Sequence, residues 1–137
     1  MNIEFILNEK NLEKKYSYII DYITNYLNAD MKKNNYCDFK DGKCIANRLG
    51  KSVHNENGCC YIYKEGLCKH LKNNGCSINC LSCKLFMCSY IEKKYKNIKL
   101  KKIFPINKVF NRKQIFILEK SFFKDKKEII DLLLKNK

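Results

Sequence analysis

Seven of the nine cysteines fall within the thirty residues from Cys59 to Cys88, in the order GCCYIYKEGLCKHLKNNGCSINCLSCKLFMC. Thiols at that density are used for structural disulfides, for a metal or iron–sulfur site, or for thiol redox chemistry. Location and spacing separate these uses. The N-terminal MNIEFILNEKNLEKK has no apolar run long enough for a signal-peptide core, and acidic residues interrupt it early. The expected location is therefore cytoplasmic, where thiols are kept reduced. Nine is also an odd number, which a closed disulfide framework cannot use. The pattern points to metal binding.

A chain of 137 residues is the size of one domain, small enough for a bound ion to supply a large share of its stability. Hydrophobic residues make up 45% and charged residues 31%, a globular balance. No stretch reaches the roughly 18 apolar residues of a membrane span, so no membrane is expected. The formal charge of +14 would ordinarily suggest nucleic acid. Against base-specific recognition, only Arg48 and Arg112 are arginines, and arginine is the preferred bidentate reader of guanine. Metal-bound thiolates would also cancel part of the charge.

The fold class expected is mainly α: a small helical domain, 1–137, wrapped around a loop-rich, metal-stabilised cysteine cluster. Over residues 8–33, Leu12, Tyr16, Ile19, Ile20, Ile23 and Leu27 fit one face of a helix, with Asn8 or Asn11 as N-cap. The preceding IEFIL reads as a strand or as an apolar tail packed on that helix. Residues 34–80 read as loop and hold all five glycines; Asp41-Gly42 suggests a tight turn between Cys37 and Cys44. A helix is expected from Cys83 to about Tyr95. Residues 98–104 alternate weakly and stop at Pro105, the only proline. Asn111 opens a helical pattern with Ile115, Leu118 and Phe122 on one face. Asp125 and Glu128 form a capping-box-like pair before a last helix carrying Ile129, Ile130, Leu132 and Leu133. The three sections are thus the N-terminal helix 8–33, the cysteine-cluster region 34–90 and the basic C-terminal helices 91–137.

The sharpest ligand spacing is Cys80-Leu-Ser-Cys83. Two thiolates separated by two residues reach one ion at about 2.3 Å each across a tight turn. Cys76 and Cys88 lie close enough in sequence to join them, although helical geometry would place Cys88 about 140° around from Cys83. Cys68-Lys-His70 offers a thiolate beside an imidazole, which makes His70 a possible further ligand. Cys59-Cys60 is an adjacent pair whose side chains diverge, a form that suits two ions, or an ion and the core. The expectation is one site built largely from Cys76, Cys80, Cys83 and Cys88. At least three of Cys37, Cys44, Cys59, Cys60 and Cys68 then share a second site or complete the first. His54, in an SVHNENG loop, reads as solvated, and the helically spaced Tyr16, Tyr18, Tyr22 and Tyr26 as packing rather than base-stacking groups. A lone CxxC could be a thioredoxin-like redox pair, but the βαβ setting of that motif is missing.

The segment CKHLKNNGCSINCLSCKLFMC resembles the second half of the signature of the cysteine-cluster family described as zinc- or iron-chelating (YkgJ-type, CxxCxxCC). Cys68 and Leu71 match its opening, Gly75-Cys76-Ser77-Ile78 its middle, and Cys83-Lys84-Leu85-Phe86-Met87-Cys88 its end. Asn57-Gly58-Cys59-Cys60 resembles the close of the family's upstream element. The upstream CxxC is not present as such, the Arg-Pro before the final pair is missing, and Cys80 is extra. The resemblance spans about residues 37–90 and implies a metal or cluster site rather than a defined reaction. All-thiolate ligation suits Zn2+ or, as the alternative, a 4Fe–4S cluster.

Three functions follow from these residues. The first is a small metal-binding module whose ion is structural and whose work is to bind a protein partner. The second, not favoured, is a zinc-stabilised nucleic-acid-binding or regulatory protein using Lys93, Lys94, Lys96, Lys99, Lys101 and Lys102. The third is an iron–sulfur accessory protein or enzyme. No nucleophile–base pair or cleft-forming carboxylate pair is recognisable, which places catalysis last.

Overall fold

The computed structural model describes residues 2–34, 48–49, 71–72, 75–76, 99–121 and 124–137; the side chains of Met31 and of residues 71–76 are not among them. The chain forms two compact units. One comprises Met1–Ala29, Asn79–Leu85 and Ile98–Lys137, and the other Asp30–Ile78 and Phe86–Asn97. The described residues are mainly helical.

In the first unit, α1 (Ile3–Leu7) is capped by Asn2, whose side-chain oxygen accepts a hydrogen bond from the Phe5 N–H at 2.7 Å. The expected strand or tail is therefore a helix. The cap satisfies a donor that would otherwise be orphaned, and Ile3, Ile6 and Leu7 share the inward face at i, i+3 and i+4. Five residues are too few to hold a helix in isolation, so burial of Ile6 against its neighbours holds it. Asn8 ends α1, its N–H bonding back to the Glu4 carbonyl.

The next helix, α2 (Leu12–Asn34), takes Asn11 rather than Asn8 as its cap, through a 2.9 Å hydrogen bond from the Lys14 N–H. Glu9 accepts from the Asn11 N–H at 3.2 Å and fixes the entry of the chain. Tyr16, Ile19, Ile20, Ile23 and Leu27 are buried, at offsets 0, 3, 4, 7 and 11 that keep one stripe inward. Leu12, in the first turn, is 38% exposed and lies outside that stripe. The last turn, from Asp30, belongs to the second unit and carries Lys32 and Lys33 at the negative end of the helix dipole. There Asn34 donates from Nδ2 to the Asp30 carbonyl and carboxylate, both at 3.1 Å.

The second unit also contains an antiparallel pair. Strand β1 (Leu71–Lys72) meets β2 (Gly75–Cys76) with Leu71 opposite Cys76 and Lys72 opposite Gly75. This part of the expected loop is thus a hairpin. Only Asn73 and Asn74 separate the strands in sequence, and asparagine is among the residues suited to two-residue hairpin turns.

The weak alternation of residues 98–104 also proves helical: α3 (Leu100–Ile103) buries Leu100 and Ile103 and exposes Lys99, Lys101 and Lys102. Pro105 stops it, since proline disfavours helical geometry in the residue before it. Phe104 is accordingly extended, at φ −147° and ψ 146°. A single 3-10 turn, Ile106–Lys108, leads to Phe110.

Helix α4 (Arg112–Lys120) starts from Asn111 and α5 (Lys126–Lys135) from Asp125. Each has a complete capping box, with Gln114 and Glu128 as the reciprocal partners. The Asp125–Glu128 expectation is met. On α5, Ile129, Ile130 and Leu133 are buried and Leu132 is half-buried. On α4, Leu118 is buried while Ile115 only packs at the edge; the inward position expected of Ile115 is filled by Gln114. The expected partner Phe122 lies outside the described residues.

The buried side chains of α1 through α5, with Phe104, Ile106 and Phe110, form one hydrophobic cluster. Tyr16 packs on Phe110 with ring centroids 5.1 Å apart, and Tyr22 meets Phe104 edge-on at 5.7 Å. Each fully buried isoleucine or leucine contributes about 1.5–3 kcal/mol relative to exposure.

Candidate functional site

Of the expected metal ligands, only Cys76 lies within the described residues, at the end of β2 and in register with Leu71. Cys37, Cys44, Cys59, Cys60, Cys68, Cys80, Cys83 and Cys88 lie outside them, as do His70, the Asp41-Gly42 turn and the helix expected from Cys83. Among the described residues no three Cys, His, Asp or Glu side chains converge to hold an ion. The fit of a metal therefore rests on donor chemistry. Nine thiols and two imidazoles are donors that zinc and iron–sulfur clusters accept, and the chain segments between Cys37 and Cys88 carry every one of them.

The expected basic group divides in the same way. Lys93, Lys94 and Lys96 lie outside the described residues, whereas Lys99, Lys101 and Lys102 are exposed around α3, whose Leu100 and Ile103 point inward. Those three lysines form a solvated rim over a buried pair, and further cations follow on Lys108, Arg112, Lys113 and Lys120, all exposed.

The helical unit contains a polar centre that periodicity does not reveal. Gln114 is 2% exposed, and its amide is fully engaged. Nε2 donates to the Tyr16 hydroxyl at 3.1 Å and to the Leu133 carbonyl at 3.0 Å, while Oε1 accepts from the Asn111 N–H at 3.0 Å. Asn111 accepts from the Gln114 N–H at 2.8 Å and donates from Nδ2 to the Asn136 carbonyl at 2.9 Å. One side chain thus ties the start of α4 to the end of α5 and to α2. A buried amide with every donor and acceptor used is a structural fastening, with no free group left for chemistry. The Asn-x-x-Gln spacing of a capping box was its signal in the sequence, though nothing there showed that the glutamine faces inward.

Among the described residues no helix is long and apolar enough to cross a membrane. Compared with protein-family models, with curated proteins and with solved structures, the chain gives no match.

Proposed function

We propose that the protein is a small metal-binding module, held in part by zinc on a cysteine cluster, that acts by binding a protein partner. The carrying observation is the placement of seven cysteines between Cys59 and Cys88 in a chain that has none before Cys37 and none after Cys88. Such confinement in sequence keeps the thiols out of the stretches that supply the buried side chains among the described residues, which suits a ligand role better than a role as small buried hydrophobes. The hairpin adds support: Cys76 sits opposite Leu71, the residue that follows Cys68-Lys69-His70 in sequence. A hydrogen-bonded pair thus stands between two donor-bearing stretches.

In this reading Cys76, Cys80, Cys83 and Cys88 contribute most of one site. Members of the group Cys37, Cys44, Cys59, Cys60 and Cys68, with His70 as a further donor, complete it or form a second. A closed four-ligand zinc site is structural, cross-linking segments that carry too little apolar surface to pack unaided. The thiolate ligands imply a reducing compartment such as the cytoplasm. The motif resemblance to the zinc- or iron-chelating cysteine-cluster family supports the same chemistry, with a 4Fe–4S cluster as the alternative cargo of the same thiols.

Purification without oxygen, followed by metal analysis and a visible absorption spectrum, tests the proposal. Stoichiometric zinc in a colourless sample is the expected result. A brown sample containing iron and sulfide assigns the thiols to a cluster, and a metal-free protein with reduced thiols and an unchanged fold overturns the reading.

A further inference from the structure

The outward face of α4 breaks two local rules at once. Its first turn carries Arg112 and Lys113 and no acidic residue, which places cations at the positive end of the helix dipole. Its middle exposes Phe116 to 64%, the highest exposure of any large hydrophobic among the described residues. At about 100° per residue, Arg112, Phe116 and Lys120 lie within an arc of about 80°, with Lys113 just beyond and Glu119 at the near edge. Three cations and one carboxylate therefore surround an unburied aromatic ring. Helix α5 shows that this is not simply the composition of a lysine-rich chain. Of its exposed positions, Lys127, Asp131 and Lys135 alternate in sign at i, i+4 spacing, Glu128 adds a second acid, and none is aromatic. The Lys126 of α5 is paired with Asp21 at 2.8 Å. Local rules broken on one face without a compensating contact are the mark of a surface kept for a ligand.

We propose that this face of α4 binds single-stranded nucleic acid without regard to sequence. Phe116 offers a ring on which an unpaired base stacks, and Arg112, Lys113 and Lys120 take the flanking phosphates. Every base has a π-face, so the contact is indifferent to sequence, which agrees with a chain holding only two arginines for edge recognition. The surrounding stretch adds a positive background: residues 99–137, Lys99, Lys101, Lys102 and Lys108 included, hold twelve basic and four acidic side chains. A duplex is the poorer ligand because its bases are already stacked. An anionic membrane is poorer too, since interfacial helices bury a broad apolar face, and here that face, with Leu118, is committed to the core. The surface is independent of the metal reading, because none of its residues is a proposed ligand.

Fluorescence anisotropy with a labelled 12-nucleotide oligothymidylate, the matching duplex and the full-length chain tests the proposal. The single strand should bind more tightly than the duplex. Phe116→Ala should weaken the single strand about tenfold or more while leaving the duplex nearly unchanged, and Phe116→Tyr should restore the preference. Replacing Lys113 and Lys120 together with Gln should reduce the slope of log affinity against log salt by about 1.4, at about 0.7 per lost phosphate contact. The same double change at Lys127 and Lys135 should leave Phe116-dependent selectivity intact. All four positions are exposed, and far-UV circular dichroism confirms that each variant keeps its helices. Equal affinity for strand and duplex, or binding unaffected by Phe116→Ala, overturns the proposal. So does a wild-type chain that sediments with phosphatidylserine vesicles through Phe116 yet ignores the oligonucleotide, or one displaced equally well by polyglutamate of matched charge.

Discussion

Residues 2–34 and 99–137 contain no cysteine and supply every buried hydrophobic side chain among the described residues. Residues 37–88 contain all nine cysteines and all five glycines, and their apolar content is thin. Over 34–68 the only large aliphatic or phenylalanine side chains are Phe39, Ile45, Leu49, Val53, Ile62 and Leu67. The terminal regions close a core by setting isoleucine and leucine at 3.6-residue spacing on capped helices, which needs nothing beyond the chain itself. The middle region has donor atoms in place of methyl groups, and ordering it calls for another source of free energy. On the proposed reading, stability and ligand chemistry are carried by different stretches of one sequence, and the two should respond separately when either is disturbed.

Metal removal should produce the largest separation. Structural zinc in small cysteine-rich peptides is worth on the order of 10 kcal/mol at neutral pH. Chelation, or Cys83→Ser, should therefore release metal and open residues 35–98 to protease while the fragments 2–34 and 99–137 keep their helical circular dichroism. Peptide mapping of the digest reads the outcome. Loss of all helical signal in a single step would break the comparison, showing that the two regions fold as one.

The converse disturbance is Ile23→Ala, which empties a fully buried position in α2. The expected cost is about 2–5 kcal/mol, measured by denaturant titration of the holoprotein. Metal content per folded molecule should not change. If the variant also loses metal at temperatures where its helices persist, the core positions the ligands and the regions are coupled.

Gln114→Ala comes next. It strips a capping partner from α4 and leaves the Tyr16 hydroxyl buried without its 3.1 Å partner, while the Leu133 carbonyl still accepts from the Asn136 N–H at 3.2 Å. The loss should be about 2 kcal/mol. Tyr16→Phe in the same background should cost much less than in the wild type, because its partner is already gone. Equal costs in both backgrounds would show that the bond contributes nothing.

The helices were legible wherever a cap preceded a periodic apolar run: the α2 stripe, the Asp125–Glu128 box and the inward side of α5 all follow from spacing. Legibility failed where context outweighed pattern. The IEFIL segment is β-like in composition, yet Asn2 caps it and Ile6 finds the core, so it turns helical. Residues 100–103 have too few positions for a period to show, and tertiary burial of Leu100 and Ile103 decides their shape. The periodic set Ile115, Leu118 and Phe122 leaves Gln114 aside, and only the converging Tyr16 hydroxyl and Leu133 carbonyl make an inward amide favourable there. The proposed cysteine site was read as chemistry, from donor type and spacing, on residues that, Cys76 apart, lie outside the described ones. Its ligand partition was not legible, because adjacent pairs and irregular gaps allow several ways of sharing nine thiols.

The smallest expected effect concerns the ion pair between Asp21 of α2 and Lys126 of α5. The charges are 2.8 Å apart, but Lys126 is 40% and Asp21 51% exposed, so water and salt screen the attraction and the side chains lose freedom in making it. Asp21→Asn should lower stability by less than about 0.5 kcal/mol, within the range of ordinary surface substitutions. Neutralising an acid also raises a net charge that already stands at +14, so the variant carries a second, diffuse penalty from repulsion among the lysines. The two contributions differ in origin. Lys126→Gln removes the same pair but lowers the net charge, and comparing the variants at low and high salt separates them. If Asp21→Asn costs clearly more than Lys126→Gln at low salt and the gap closes at high salt, crowded positive charge strains the helical unit. If the two match at every salt concentration, the pair acts alone, and the core carries its cations without measurable cost.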